Sequence, residues 1–287
     1  MLASLPEFLL NEEQVNQFLQ HGYLKLPNIV PQEVVELLRE AIERICTKEV
    51  DTPGISFTEV EGKGKFITGI DSLCNKDESI FLQLMGSPFL LSIAEAICGA
   101  DFFPVQEFAV LKTLGDKTPV LWHQDVSNKS VGQTFMLGIY LDAANDENGA
   151  LRIIPESHKS DLPICELQKM PYKSIEMQAG DVLIHDLMLV HSSGILNAFP
   201  KRRVVYFEFM SSGLANKEQI YPSEMIKNRI SLIPLAIKEY VDAHQSSAHF
   251  NWQHPDKEFF TEIRPLKSIY EVPLQLKPAN YCFEFTF

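Results

Sequence analysis

His123 and Asp125 stand two positions apart in Trp122-His123-Gln124-Asp125. In an extended strand, residues at that spacing point to the same side, so the imidazole and the carboxylate can chelate one ion. A third ligand must come from a distant segment. Asp181-Val182-Leu183-Ile184-His185-Asp186-Leu187-Met188-Leu189-Val190-His191-Ser192-Ser193-Gly194 supplies two histidines. His191 sits at the end of an apolar run and is the preferred ligand. His185, closer to the interior of that run, is its rival, with a packing or ligand-supporting role as the alternative. Two imidazoles and one carboxylate form a facial triad that suits Fe(II) and leaves the opposite positions open. Zinc, manganese and nickel accept the same donors.

Arg202 and Arg203 follow at the start of the run Val204-Val205-Tyr206-Phe207-Glu208-Phe209. Strand alternation turns one of them inward and the other out. An inward guanidinium beside a metal can grip a carboxylate through both oxygens; without the metal motif, two solvated surface arginines would be the simpler reading. Lys112, at the end of another β-like run, either assists such an anion or extends its ammonium to water. Ser193 either donates its hydroxyl there or serves as a turn residue beside Gly194.

These side chains need a scaffold, and the chain changes character along its length. Near the start, Asn11 and Gln14 form a capping box for a helix with Val15, Phe18 and Leu19 on one face, ended by Gly22. Tyr23-Leu24-Lys25-Leu26 alternates as a strand. Pro31 opens a second helix with Val34, Val35, Leu37, Leu38, Ala41, Ile42 and Ile45 on its apolar face, and a third spans about 87–98. Residues 51–75, rich in Gly, Lys and Asp without periodicity, predict a loop region and a candidate lid. From about 103, short β-like runs at 105–113, 134–141, 151–154, 174–177, 181–184 and 204–209 alternate with turn signals, the pattern of a sandwich or barrel. Residues 224–244 predict helix and 263–287 extended chain. With no clear linker, the chain is expected to be one domain over 1–287: a helical N-terminal region with the lid loop to 100, the β core over 101–212, and a C-terminal extension over 213–287.

The 287 residues carry a formal charge of −13 with 45% hydrophobic residues, ordinary for a globular protein. That charge argues against a nucleic-acid surface. No apolar run reaches membrane-spanning length, and the N-terminal residues lack the basic and apolar regions of a signal peptide. The five scattered cysteines, Cys46, Cys74, Cys98, Cys165 and Cys282, contain no C-x-x-C pair. They predict reduced, mostly buried thiols and a cytoplasmic location. The oligomeric state is left open.

Taken together, the blocks resemble the phytanoyl-CoA dioxygenase family. The resemblance runs through Phe18-Leu19-Gln20-His21-Gly22-Tyr23-Leu24-Lys25-Leu26-Pro27, His123-Gln124-Asp125, Glu147-Asn148-Gly149-Ala150-Leu151-Arg152, Ile154-Pro155-Glu156-Ser157-His158-Lys159, Gly180-Asp181 and His191-Ser192-Ser193-Gly194. Arg202 falls where that family keeps its 2-oxoglutarate arginine. The resemblance implies a mainly β fold with flanking helices, its core a double-stranded β-helix, or cupin-like jelly roll. It further implies Fe(II) on His123, Asp125 and His191, with Arg202, helped by Ser193 and Lys112, holding the 2-oxoglutarate co-substrate. With O2, such a site oxidises a C–H bond of a small molecule and releases succinate and CO2. Because Asp125 is present, hydroxylation or desaturation is expected rather than halogenation. The 51–75 loop, Gln106, Phe108 and the segment with Phe250, Trp252 and His254 are expected to contact the substrate, with packing as the commoner role for aromatics in such a segment. Two departures from the family pattern stand out. Glu156 replaces a glycine, and Gly138 replaces an aromatic found in some members. The competing readings are a cupin-like metal-dependent isomerase or hydrolase, and a non-catalytic binding protein of the same fold.

Overall fold

The computed structural model describes residues 9–48, 52–76, 78–127, 132–245, 249–256, 263–276 and 278–282. The N-terminal residues read against a signal peptide lie outside them, as do the last residues of the expected extended tail. In the first part of the chain, helix α1 (Glu12–His21) leads to strand β1 (Tyr23–Leu26) and helix α2 (Gln32–Lys48). Strands β2 (Ile55–Val60) and β3 (Gly64–Asp71) follow, then helices α3 (Ser79–Met85) and α4 (Pro88–Cys98). The middle holds β4 (Phe102–Thr113), β5 (Val120–Gln124), β6 (Thr134–Tyr140), β7 (Leu151–Ile153), α5 (Ile164–Leu167), β8 (Lys173–Ile175), β9 (Val182–His185), β10 (His191–Ser193) and β11 (Lys201–Ser211). The end holds α6 (Ser212–Lys217), α7 (Ser223–Ile230), α8 (Leu232–His244), α9 (Leu266–Tyr270) and β12 (Asn280–Tyr281).

Local chemistry accounts for the helix ends. Asn11 and Gln14 make the expected reciprocal capping box, and Gly22 closes α1 with φ +79°. Ser87 caps α4 at Leu90 N with Pro88 in the first turn. Helix α4 is apolar nearly all round and is buried on most of its surface, as such a helix must be.

The strands pair antiparallel in two sheets, the layers of the jelly roll. One has the order β1-β9-β6-β11-β4-β3-β2 and the other β12-β5-β10-β7-β8. Every residue of β6 is buried. Its unbroken apolar sequence therefore marks a strand covered on both faces, not a half-exposed one. The two inner faces enclose the cavity in which the site lies. Among the described residues no single helix is long and apolar enough to cross a membrane.

Four expectations are corrected. Residues 52–75, read as loop and lid, contain the β2–β3 hairpin at one edge of the large sheet; residue 51 lies outside the described residues. The predicted helix over 224–244 is two helices, broken at Ser231. The stretch from 263 is not uniformly extended, because it contains α9. Finally, the cysteines are not all reduced: Cys165 of α5 and Cys282, just after β12, form a disulfide across 117 residues. Cys46, Cys74 and Cys98 are free. The expectation of a cytoplasmic location leaned on unpaired thiols, a premise that fails for this pair.

Candidate metal centre

Strands β5 and β10 build the centre. They run antiparallel with His191 opposite His123, which brings the ring centroids to 4.1 Å. Asp125 follows the end of β5, where its backbone N–H donates to Leu187 O and fixes the turn. One donor atom each from His123, Asp125 and His191 lies within 4.8 Å of the others. Asp125 Oδ1 is 3.4 Å from His123 Nε2 and 3.9 Å from His191 Nε2.

Both histidines are presented the same way. His123 Nδ1 pairs with Leu121 O and His191 Nδ1 with Leu189 O, each at 2.8 Å. If each Nδ1–H donates to its carbonyl, both Nε2 lone pairs are left facing the carboxylate, the tautomer that metal binding requires. Asp125 Oδ2 is buried and makes no hydrogen bond. Its other oxygen, Oδ1, stands between His123 Nε2 and His191 Nε2, and a buried carboxylate left with an orphaned oxygen among imidazole nitrogens is what a cation would satisfy. The donor set therefore fits a divalent ion with open coordination positions.

The charges agree with this. Burial works to raise the pKa of Asp125, but the surrounding imidazoles of His191, His123 and His185 outweigh it and hold the carboxyl well below its ordinary value. Burial, joined by the charge of His123, pushes His191 down to about 3, so its ring is neutral and free to ligate. Burial also opposes charge on His123, yet the hydrogen bond and charge of Asp125 carry its pKa above the ordinary value.

The same cavity is lined by Phe108, Val110, Met136, His185, Ser193, Arg202 and Tyr206, among others, and has a volume of about 100 Å³. Strand alternation buries Arg202 on the cavity side, where Nη1 donates to Gly149 O at 2.6 Å. Arg203 takes the opposite face and pairs with Asp142. Lys112, directly across from Arg202 in the β4–β11 register, donates to Thr118 O and Gly194 O. Burial and the charge of Arg202 lower its pKa to about 7.

Both departures from the family pattern have physical readings. A Cβ on Gly138 would lie 2.7 Å from Tyr206 Cε1, so the space of a β6 side chain is filled by the Tyr206 ring from β11. Glu156 sits at φ +66°, a left-handed conformation that glycine adopts without strain. Its carboxylate lies 3.2 Å from His21 Nδ1.

His185 lies beside the triad and not in it; its Nε2 is 3.4 Å from Asp125 Oδ2. Phe108 lines the cavity as expected. Phe250 and Trp252 instead pack edge-on against Phe102, and His254 meets Ser212 Oγ at 3.2 Å, so these residues serve packing. The β2–β3 hairpin does not line the cavity. One neighbour escaped the sequence reading. Tyr281 of β12 stacks on His123 at 5.0 Å, in register opposite it. No local signal marks it, because a two-residue strand has no periodicity to read.

The family model described as phytanoyl-CoA dioxygenase (PhyH) matches residues 18–203. L-proline trans-4-hydroxylase of Streptomyces griseoviridis is 26% identical over 142 residues, covering 47% of this chain and 51% of that protein. The peroxisomal phytanoyl-CoA dioxygenase of Mus musculus is 24% identical over 243 residues, covering 73% of this chain and 71% of that protein. This chain thus spans about half of the first relative and more of the second. In fold it is similar to EctD from S. alaskensis, crystallised with 2-oxoglutarate and 5-hydroxyectoine. That match has a TM-score of 0.62 at 18% identity and covers 71% of this chain and 77% of that one.

Proposed function

The chain belongs to the phytanoyl-CoA dioxygenase family, and on that premise we propose that it is an Fe(II)- and 2-oxoglutarate-dependent dioxygenase that hydroxylates a C–H bond of a small molecule. The observation that carries the reading is the convergence of three donor atoms within 4.8 Å in a cavity that also holds a buried arginine.

We assign His123, Asp125 and His191 to the iron and Arg202 to the distal carboxylate of 2-oxoglutarate, with Ser193 and Lys112 at its side. Iron bound with 2-oxoglutarate supplies O2 activation, with succinate and CO2 as co-products. The chain's own work is positioning. Leu121 O and Leu189 O hold the two imidazoles in the ligating tautomer. Arg202 is pinned by Gly149 O, so its guanidinium is oriented before any anion arrives. Phe108, Val110, Met136, Leu151 and Tyr206 give the cavity an apolar wall, which a bound substrate would complete against bulk water.

The test is anaerobic addition of Fe(II) and 2-oxoglutarate, followed by a screen for succinate release over candidate small molecules. A weak visible charge-transfer band is expected, absent from Asp125→Ala and His191→Ala. A parent protein with no band and no succinate would instead favour a metal-dependent isomerase or hydrolase.

A further inference from the structure

At the end of the cavity away from Arg202, one row of side chains crosses four strands. Gln106 of β4 pairs with Glu208 of β11, Glu208 with Met136 of β6, and Met136 with His185 of β9. Met136 and His185 line the cavity. Gln106 and Glu208 stand two residues beyond the lining residues Phe108 and Tyr206, on the same faces of their strands. Six residues separate Arg202 from Glu208 along β11, roughly 20 Å of strand. Arg202 thus lies on the cavity wall toward one end of β11, and Glu208, a buried carboxyl, lies on the same strand face just past the cavity's other end.

Glu208 is 3% exposed. It accepts from Gln106 Nε2 at 2.5 Å, and Tyr221 stands close enough to favour its ionised form. Among the described residues it has no Lys or Arg within ion-pair distance, and Arg229 is taken by Glu107. A buried carboxyl without a cation avoids the cost of a buried charge by keeping its proton, and a cationic ligand set against it would favour the ionised form. Burial, with a contribution from the charge of Asp125, pushes its pKa up to about 8. A second observation points the same way: His185 is 2% exposed, faces the cavity, and its Nδ1 has no hydrogen-bond partner.

We propose that this row is the substrate-recognition site and that it takes a small molecule bearing a protonated amine. Glu208 and the Gln106 carbonyl oxygen accept the ammonium hydrogens, and His185 meets a second polar group of the same molecule. The charge pattern disfavours an anionic head at this end, where Glu208 and Asp125 both stand. The reaction assigned to the bound molecule rests on the proposed function; the binding itself does not.

The test is calorimetry on the full-length, metal-free protein with cyclohexylammonium chloride and with cyclohexanol, a neutral molecule of nearly the same shape. The ammonium is expected to bind at least tenfold more tightly. Glu208→Gln should abolish that preference, whereas Tyr221→Phe, which removes a competing donor, should keep or strengthen it. Circular dichroism checks the fold of both variants, and Tyr221→Phe decides the matter if Glu208→Gln does not fold. Absent or equal binding of the two probes, a preference that survives in Glu208→Gln, or one lost in Tyr221→Phe would overturn the proposal. Failure here beside a normal Fe(II)–2-oxoglutarate band overturns this inference alone. Glu208-dependent ammonium binding in a protein without that band overturns the oxygenase reading instead.

Discussion

A single guanidinium separates the oxygenase reading from other metal chemistry in the same fold. Arg202 is buried and held by Gly149 O. A charge-assisted hydrogen-bonded pair of this kind contributes about 1.5–3 kcal/mol. Arg202→Ala is therefore expected to raise the KM for 2-oxoglutarate by about 10- to 150-fold while leaving metal affinity unchanged; steady-state succinate assays and metal titration read the two effects separately. Lys112 adds a pH dependence. Its pKa in the ligand-free protein is lowered to about 7, so between pH 7 and its ordinary value the unfolded chain binds the extra proton. Stability from this group thus rises with pH across that window. A bound dicarboxylate favours the charged amine, so binding takes up a proton above pH 7. The Kd of 2-oxoglutarate should weaken by up to about tenfold per pH unit above 7, and Lys112→Met should flatten that slope. The sequence announced this group of residues well. H-x-D, H-S-S-G and the later arginine carry their chemistry in their types and spacing. Glu208 carried no such signal, because a glutamate in an apolar strand means nothing until its neighbours on β4, β6 and β9 are known.

Elements were legible where burial imposed a period. Helices α1, α2 and α4 and strands β1, β4, β6 and β11 bury one face or both, and their apolar residues say so. The β2–β3 hairpin buries little, so its residues follow no such rule and read as loop. Helix α9 has five residues, too short for a helical period to stand out. Within β6, Gly138 leaves the room that Tyr206 fills. Gly138→Phe should expel that ring and cost about 1–3 kcal/mol of stability. Chemical denaturation should then give a lower midpoint with an unchanged slope. The disulfide between α5 and the β12 segment was invisible for another reason: two cysteines 117 residues apart have no spacing to interpret. Thiol titration of the denatured, unreduced protein should find three free cysteines, and five after reduction. A loop of that size implies about 2–5 kcal/mol of stabilisation, so Cys282→Ser should lower Tm by several degrees.

The whole molecule is two sheets facing each other across one cavity, with the site's parts divided between them. His123, His191 and Ser193 come from the smaller sheet, and Arg202, Lys112, Tyr206, Met136 and His185 from the larger. A metal held by one sheet and chelated by an anion anchored in the other would bridge them. Mn(II) and 2-oxoglutarate together should raise Tm by more than the sum of their separate effects, and Arg202→Ala should remove the excess; differential scanning fluorimetry measures both.

Tyr281, which stacks on His123, adds a matter of timing. Chains are made from the N-terminus onward, and residue 281 leaves the ribosome long after both metal-binding strands. A nascent molecule thus carries its three candidate ligands before the ring that stacks on His123 has been made. The disulfide of the adjacent Cys282 with Cys165 can form only after that, so the clasp beside the stacked face of His123 is among the last parts of the molecule to be made.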